Sequence, residues 1–122
     1  MPFREPALPL RDIVEAIISI EQFTAGMDLD AFRSDPKTVS AVERKMLLIS
    51  EAAVRLGDEA ERLCPGQPWR NIRGIGNWLR HQYDRVDVEM VWHTIEDDLP
   101  GLKAAVLRVL NTALQNPSSV PG

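Results

Sequence analysis

Trp69-Arg70-Asn71-Ile72-Arg73-Gly74-Ile75-Gly76-Asn77-Trp78-Leu79-Arg80-His81-Gln82-Tyr83-Asp84 is the stretch on which the fold assignment turns. It follows a Pro65-Gly66-Gln67-Pro68 loop signal, and a helix is expected from Pro68-Trp69 to about Tyr83. Gly74 and Gly76 stand inside that helix, where each costs about 1 kcal/mol relative to alanine. Two such costs in one helix call for a reason, either close backbone packing or access for a ligand.

Outward from this segment, apolar residues recur with helical period and strand alternation is nearly missing. A first helix is expected over about 9–23, with Ile13, Val14, Ile17, Ile18 and Ile20 as its apolar set and Gly26 near its end. A short helical turn follows around Leu29–Phe32. Asp35-Pro36 reads as an N-cap with proline at the first helical position. It opens a long helix with the stripe Val39, Val42, Met46, Ile49, Ala53 and Leu56, broken at Gly57, with a weaker turn on to Leu63. Asp87 reads as the cap of a helix from Val88 to about Asp97. Pro100-Gly101 is expected to separate that helix from a last one over 102–114, and the tail 116–122 to be flexible. The fold class is therefore all-α, an antiparallel bundle of about five helices in a single domain over 1–115.

The chain has 122 residues, 44% apolar and 26% charged, which suits one core. Its net charge is -4, with 14 basic against 18 acidic residues. A broad basic surface for nucleic acid is excluded, so any RNA contact is local or shared with a partner. Arg70, Arg73, Arg80 and Arg85 cluster, whereas Glu96, Asp97 and Asp98 form an acidic run. Cys64 is the single cysteine and has no metal-ligand spacing around it. No signal peptide or membrane-spanning run is read, and a cytoplasmic protein is expected.

Trp69, Ile72, Gly74, Asn77, Leu79, His81 and Tyr83 resemble, in register, the signature of the HepT-like proteins of the HEPN superfamily. Val86-Asp87, Val91-Trp92, Asp98-Leu99-Pro100 and Leu48-Ile49-Ser50-Glu51-Ala52 resemble the same family, so the likeness covers nearly the whole chain. It implies a helical bundle, a homodimer, and a ribonuclease toxin paired with a nucleotidyltransferase antitoxin. The reaction it implies needs no metal or other cofactor: an RNA 2′-hydroxyl attacks the adjacent phosphate and leaves a cyclic phosphate. It also implies that Tyr83 is where the antitoxin attaches AMP, with a buried packing tyrosine as the alternative.

The family pairs its histidine with an upstream arginine, and in register that arginine position is Gly76. Histidine suits proton transfer near neutrality, and arginine suits a phosphate by its fork of donors. Arg80 follows Gly76 by one turn, and helical side chains tilt toward the N-terminus. Its guanidinium is therefore expected over the space at Gly76, making Arg80 the substitute and Arg73 the second choice. Arg80 also has Asp84 one turn on, a spacing that allows a surface ion pair instead. Asn77, one turn before His81, is expected to orient the ring or to serve as a polar helix residue. Glu51 is expected to reach Arg73, Arg80 or solvent. Trp69, Trp78 and Trp92 read as core or interface anchors, with base stacking on one of them as the alternative, and His93 has no motif around it. A catalytically degenerate dimer that binds a partner or nucleotide stays open as the alternative, as does a helical binding module with another ligand.

Overall fold

The computed structural model describes residues 6–81 and 87–115. Every regular element among them is helical. Helix α1 spans Ala7–Thr24 and buries Leu10, Ile13, Val14, Ile17 and Ile20, while Ile18 stays partly exposed. It gives way to a turn at Gly26, whose φ of 77° suits glycine. Helix α2 (Leu29–Arg33) is capped by Asp28, which accepts from the Ala31 N–H at 2.8 Å.

Helix α3 (Pro36–Leu56) begins where its sequence requires. Asp35 accepts from the Thr38 N–H at 3.1 Å and from the Thr38 hydroxyl at 2.8 Å, with Pro36 in the first turn. These bonds hold the Asp35 carboxyl below its ordinary range. All six residues of the expected stripe are buried. Gly57, at φ 56°, ends α3 and turns the chain into α4 (Asp58–Leu63). Helix α5 is described over Trp69–His81, and α6 (Val88–His93) is capped by Asp87, which accepts from the N–H groups of Glu89 and Met90.

Cross-links fix the helix directions. Asp12 near the start of α1 pairs with Arg55 at the end of α3 at 2.7 Å. Glu21 near the end of α1 pairs with Lys103 early in α7 at 2.9 Å. Gly57 and Ser50, at and near the end of α3, meet Arg73 and Gly76 on α5. Consecutive long helices thus run antiparallel around one core. Phe32 from α2 closes one end against Trp92 from α6, with ring centroids 5.1 Å apart. Such a ring pair contributes about 0.5–1.5 kcal/mol beyond its burial.

One expectation fails. Pro100-Gly101 does not separate two helices. A π-helical segment, Thr94–Asp98, joins α6 directly to α7 (Leu99–Gln115), and Pro100 lies inside the first turn of α7. Proline in a helix lacks an N–H and crowds the carbonyl four residues back. The wider turn just upstream relaxes that carbonyl row, so the helix carries on. Among the described residues no helix is long and apolar enough to cross a membrane. Tyr83, Asp84, Arg85 and the tail 116–122 lie outside the described residues.

Candidate functional site on helix α5

Helix α5 is held by its apolar face and by one buried hydroxyl. Trp69 is buried, and its indole N–H donates to the Cys64 carbonyl at 2.8 Å. Ile72 and Ile75 are buried in the shared core. Ser50, itself buried on α3, donates to the Arg73 carbonyl at 2.9 Å and accepts from the Gly76 N–H at 3.0 Å. This bolt holds the α3 and α5 backbones close. A Cβ on Gly76 would lie 3.1 Å from the Ser50 Oγ and 3.3 Å from a Leu47 methyl. Gly76 is thus explained by packing.

The two arginines have different surroundings. Arg73 makes a two-pronged pair with Glu61 at 2.6 and 2.8 Å and donates to the Gly57 carbonyl at 2.8 Å. The pair pulls the Glu61 carboxyl below its ordinary range. Arg73 therefore ties α5 to the α3–α4 corner. Glu51 does not reach it and instead lines a polar groove between α1 and α3. Sequence spacing did not single out Glu61, because the reversal at Gly57 brings α4 back across α5. Arg80 is exposed, and its Nη1 lies 3.4 Å from the point where a Gly76 Cβ would stand. The guanidinium thus sits over the glycine, and no carboxylate among the described residues pairs with it.

Helical register sets Arg70, Gly74, Asn77 and His81 along one stripe of α5. Asn77 is exposed and one turn before His81. Beside this stripe, a groove of about 550 Å³ runs between α5 and the α6–π segment. Trp78 and Met90 line it, as does His93, whose Nδ1 is 4.0 Å from an Asp97 oxygen. The Asp98 carboxyl at its edge is pushed up by burial and by Asp97. Of this α6–π wall only Asp98 belongs to a stretch that resembles the family, Asp98-Leu99-Pro100, and the π turn that assembles the rest carries no local sequence signal. Cys64 is buried, and burial pushes its thiol up, which suits an inert packing role.

The fold and this helix define a small all-α bundle protein in which a glycine-bearing helix is packed closely against its neighbour. The chain belongs to the Ribonuclease HepT-like family, whose sequence model matches residues 13–109. It is similar to "Probable ribonuclease HepT" of Thermococcus cleftensis, 40% identical over 94 residues, covering 77% of this chain and 86% of that one. It is also similar to "Putative RNase MJ0127" of Methanocaldococcus jannaschii, 31% identical over 83% of this chain and 84% of the relative. "Putative RNase TTE0752" of Caldanaerobacter subterraneus is 27% identical over 88% of this chain and 96% of its own. No solved structure matches.

Proposed function

We propose that the protein is a metal-independent RNA endonuclease, the toxin of a toxin–antitoxin pair, in which His81 moves protons and Arg80 holds the phosphate. Family membership and the ribonuclease names of the relatives support the substrate class. The observation that carries the residue assignment is the Arg80 guanidinium lying over Gly76, the position at which the resemblance implies the family's arginine. Arg73 is the weaker candidate, because its donors are engaged by Glu61 and Gly57.

In this scheme the RNA 2′-oxygen attacks the adjacent phosphorus, and its proton passes to a His81 imidazole. The bond from phosphorus to the 5′-oxygen breaks. A protonated His81 from a second copy of the chain gives a proton to the leaving oxygen. The products are a 2′,3′-cyclic phosphate and a 5′-hydroxyl. Arg80 stabilises the charge gathering on the non-bridging oxygens, and Asn77 orients the imidazole. Tyr83 accepts AMP from a nucleotidyltransferase antitoxin, and the bulky anion then blocks the site. The test is end-group analysis of RNA cut in the presence of chelator. Cyclic phosphate and 5′-hydroxyl ends are expected, and 3′-hydroxyl ends would exclude the scheme.

The buried close contact at Gly76 also favours one second reading. The arginine position has been given over to helix packing, as in a catalytically degenerate dimer that binds a partner or nucleotide. An intact fold with no cleavage would select that reading.

A further inference from the structure

Gly74 has an ordinary helical backbone, and a Cβ built on it meets nothing within 4 Å among the described residues. Glycine there forgoes about 1 kcal/mol of helix propensity, and no described residue requires it. Gly76 is the opposite case, wedged against Ser50 and Leu47. The bare backbone at Gly74 forms part of the floor of the groove of about 550 Å³, a volume within the range of small-ligand sites. A glycine at such a place lets a ligand come close to the backbone.

The walls say which ligand. Trp78, one turn after Gly74, is half-buried and offers an aromatic surface, and Met90 adds an apolar contact. Arg70, one turn before Gly74, is exposed and donates only. Across the groove, the π segment presents Asp97 and Asp98, which as carboxylates accept only. π turns recur at functional sites. The groove therefore fits a flat molecule with adjacent N–H donors on one edge and an anion at the other end. Guanine has that edge, in its N1–H and N2–H groups, and one carboxylate can accept both. Adenine, cytosine and uracil each lack two neighbouring ring-edge donors of this kind.

We infer that this groove is a base-binding subsite for a guanine nucleotide. The base lies on Gly74 beside Trp78, its edge meets the Asp97–Asp98 carboxylates, and its phosphate meets Arg70. The inference rests on the RNA reading in making the occupant part of an RNA strand. Gly74 precedes His81 on the same stripe by about 10 Å along the helix axis, so the subsite holds a nucleotide flanking the cleaved linkage. Asp98, whose charged form is disfavoured by burial, gains most from two N–H donors.

The test is titration of the full chain with 5′-GMP, 5′-AMP, 5′-CMP, 5′-UMP and guanosine, followed by calorimetry and tryptophan fluorescence. 5′-GMP is expected to bind at least about tenfold tighter than the other nucleotides. Asp97→Asn with Asp98→Asn should remove that preference, and Gly74→Leu should abolish binding. Arg70→Ala should weaken 5′-GMP but not guanosine. Asp98→Asn is nearly isosteric, so it informs even if Gly74→Leu does not fold. No nucleotide binding, equal binding of 5′-GMP and 5′-AMP, or binding that survives Gly74→Leu would overturn the inference. So would a Gly74→Leu chain that loses self-association with nucleotide binding unchanged, because the groove would then be an interface between copies. The readout is independent of cleavage. A chain that binds 5′-GMP but cuts no RNA refutes the nuclease alone, and one that cuts RNA but binds 5′-GMP no better than 5′-AMP refutes the subsite alone.

Discussion

Ser50 and Gly76 meet through one hydroxyl: the Ser50 Oγ accepts the Gly76 N–H at 3.0 Å, and a Cβ on Gly76 would lie 3.1 Å from that same oxygen. The bond and the missing side chain are two sides of one close helix crossing. Gly76→Ala gains about 1 kcal/mol of helix propensity but crowds a buried serine held by two hydrogen bonds. Because Ser50 cannot swing away without losing both bonds, the crowding should prevail by about 1 kcal/mol net. Gly76→Arg should cost more. Urea unfolding checks both. In a double-mutant cycle with Ser50→Ala, the two changes should couple by about 0.5 kcal/mol or more.

Arg80 and Arg73 should separate cleanly. Arg80→Ala is expected to lower RNA cleavage by about 10²–10³-fold with little change in melting temperature, because the side chain is exposed. Arg73→Ala should lower the urea midpoint, since it releases Glu61 and the Gly57 carbonyl. Its cleavage per folded molecule should stay within about tenfold of the parent, less than the loss of one transition-state donor. Parallel unfolding and cleavage assays read the two effects.

The acid limb of stability has opposing contributors. Glu61 lies below its ordinary 4.5 because of Arg73, so its contribution is present above pH 4.5 and is lost as pH falls through the lowered value. Glu43 is raised above 4.5 by burial, so its charged form opposes folding at neutral pH, and that opposition is gone below 4.5. Glu61→Gln should therefore lower the urea midpoint at pH 7 and do so less at pH 3.5. Glu43→Gln should raise it at pH 7 and leave it nearly unchanged at pH 3.5.

The α6 start depends on Asp87, which accepts from two backbone N–H groups. Asp87→Ala should cost about 1 kcal/mol, whereas Asp87→Asn, still a good cap, should cost a few tenths. Urea unfolding distinguishes them.

Much of the fold was legible because its signals are local. Asp35-Pro36 caps α3, the six-residue stripe from Val39 to Leu56 is buried, and Gly57 breaks the helix where its φ becomes positive. The position of Arg80 over Gly76 followed from helical geometry alone. The rest was hidden for physical reasons. Pro100-Gly101 reads as a break, because a π turn that absorbs a proline has no sequence signature. The partner of Arg73 is set by a reversal at Gly57, which spacing cannot reveal. Gly74 and Gly76 look alike in sequence, yet one meets α3 and the other meets open space.

The most direct measurement is cleavage of a mixed tRNA and mRNA pool by the purified chain in chelator, beside His81→Ala and Arg80→Ala. The account predicts cleavage by the parent chain, its loss in His81→Ala, and a drop of about 10²–10³-fold in Arg80→Ala. A folded parent chain that leaves the RNA intact, or a His81→Ala chain that cuts as well as the parent, would contradict it.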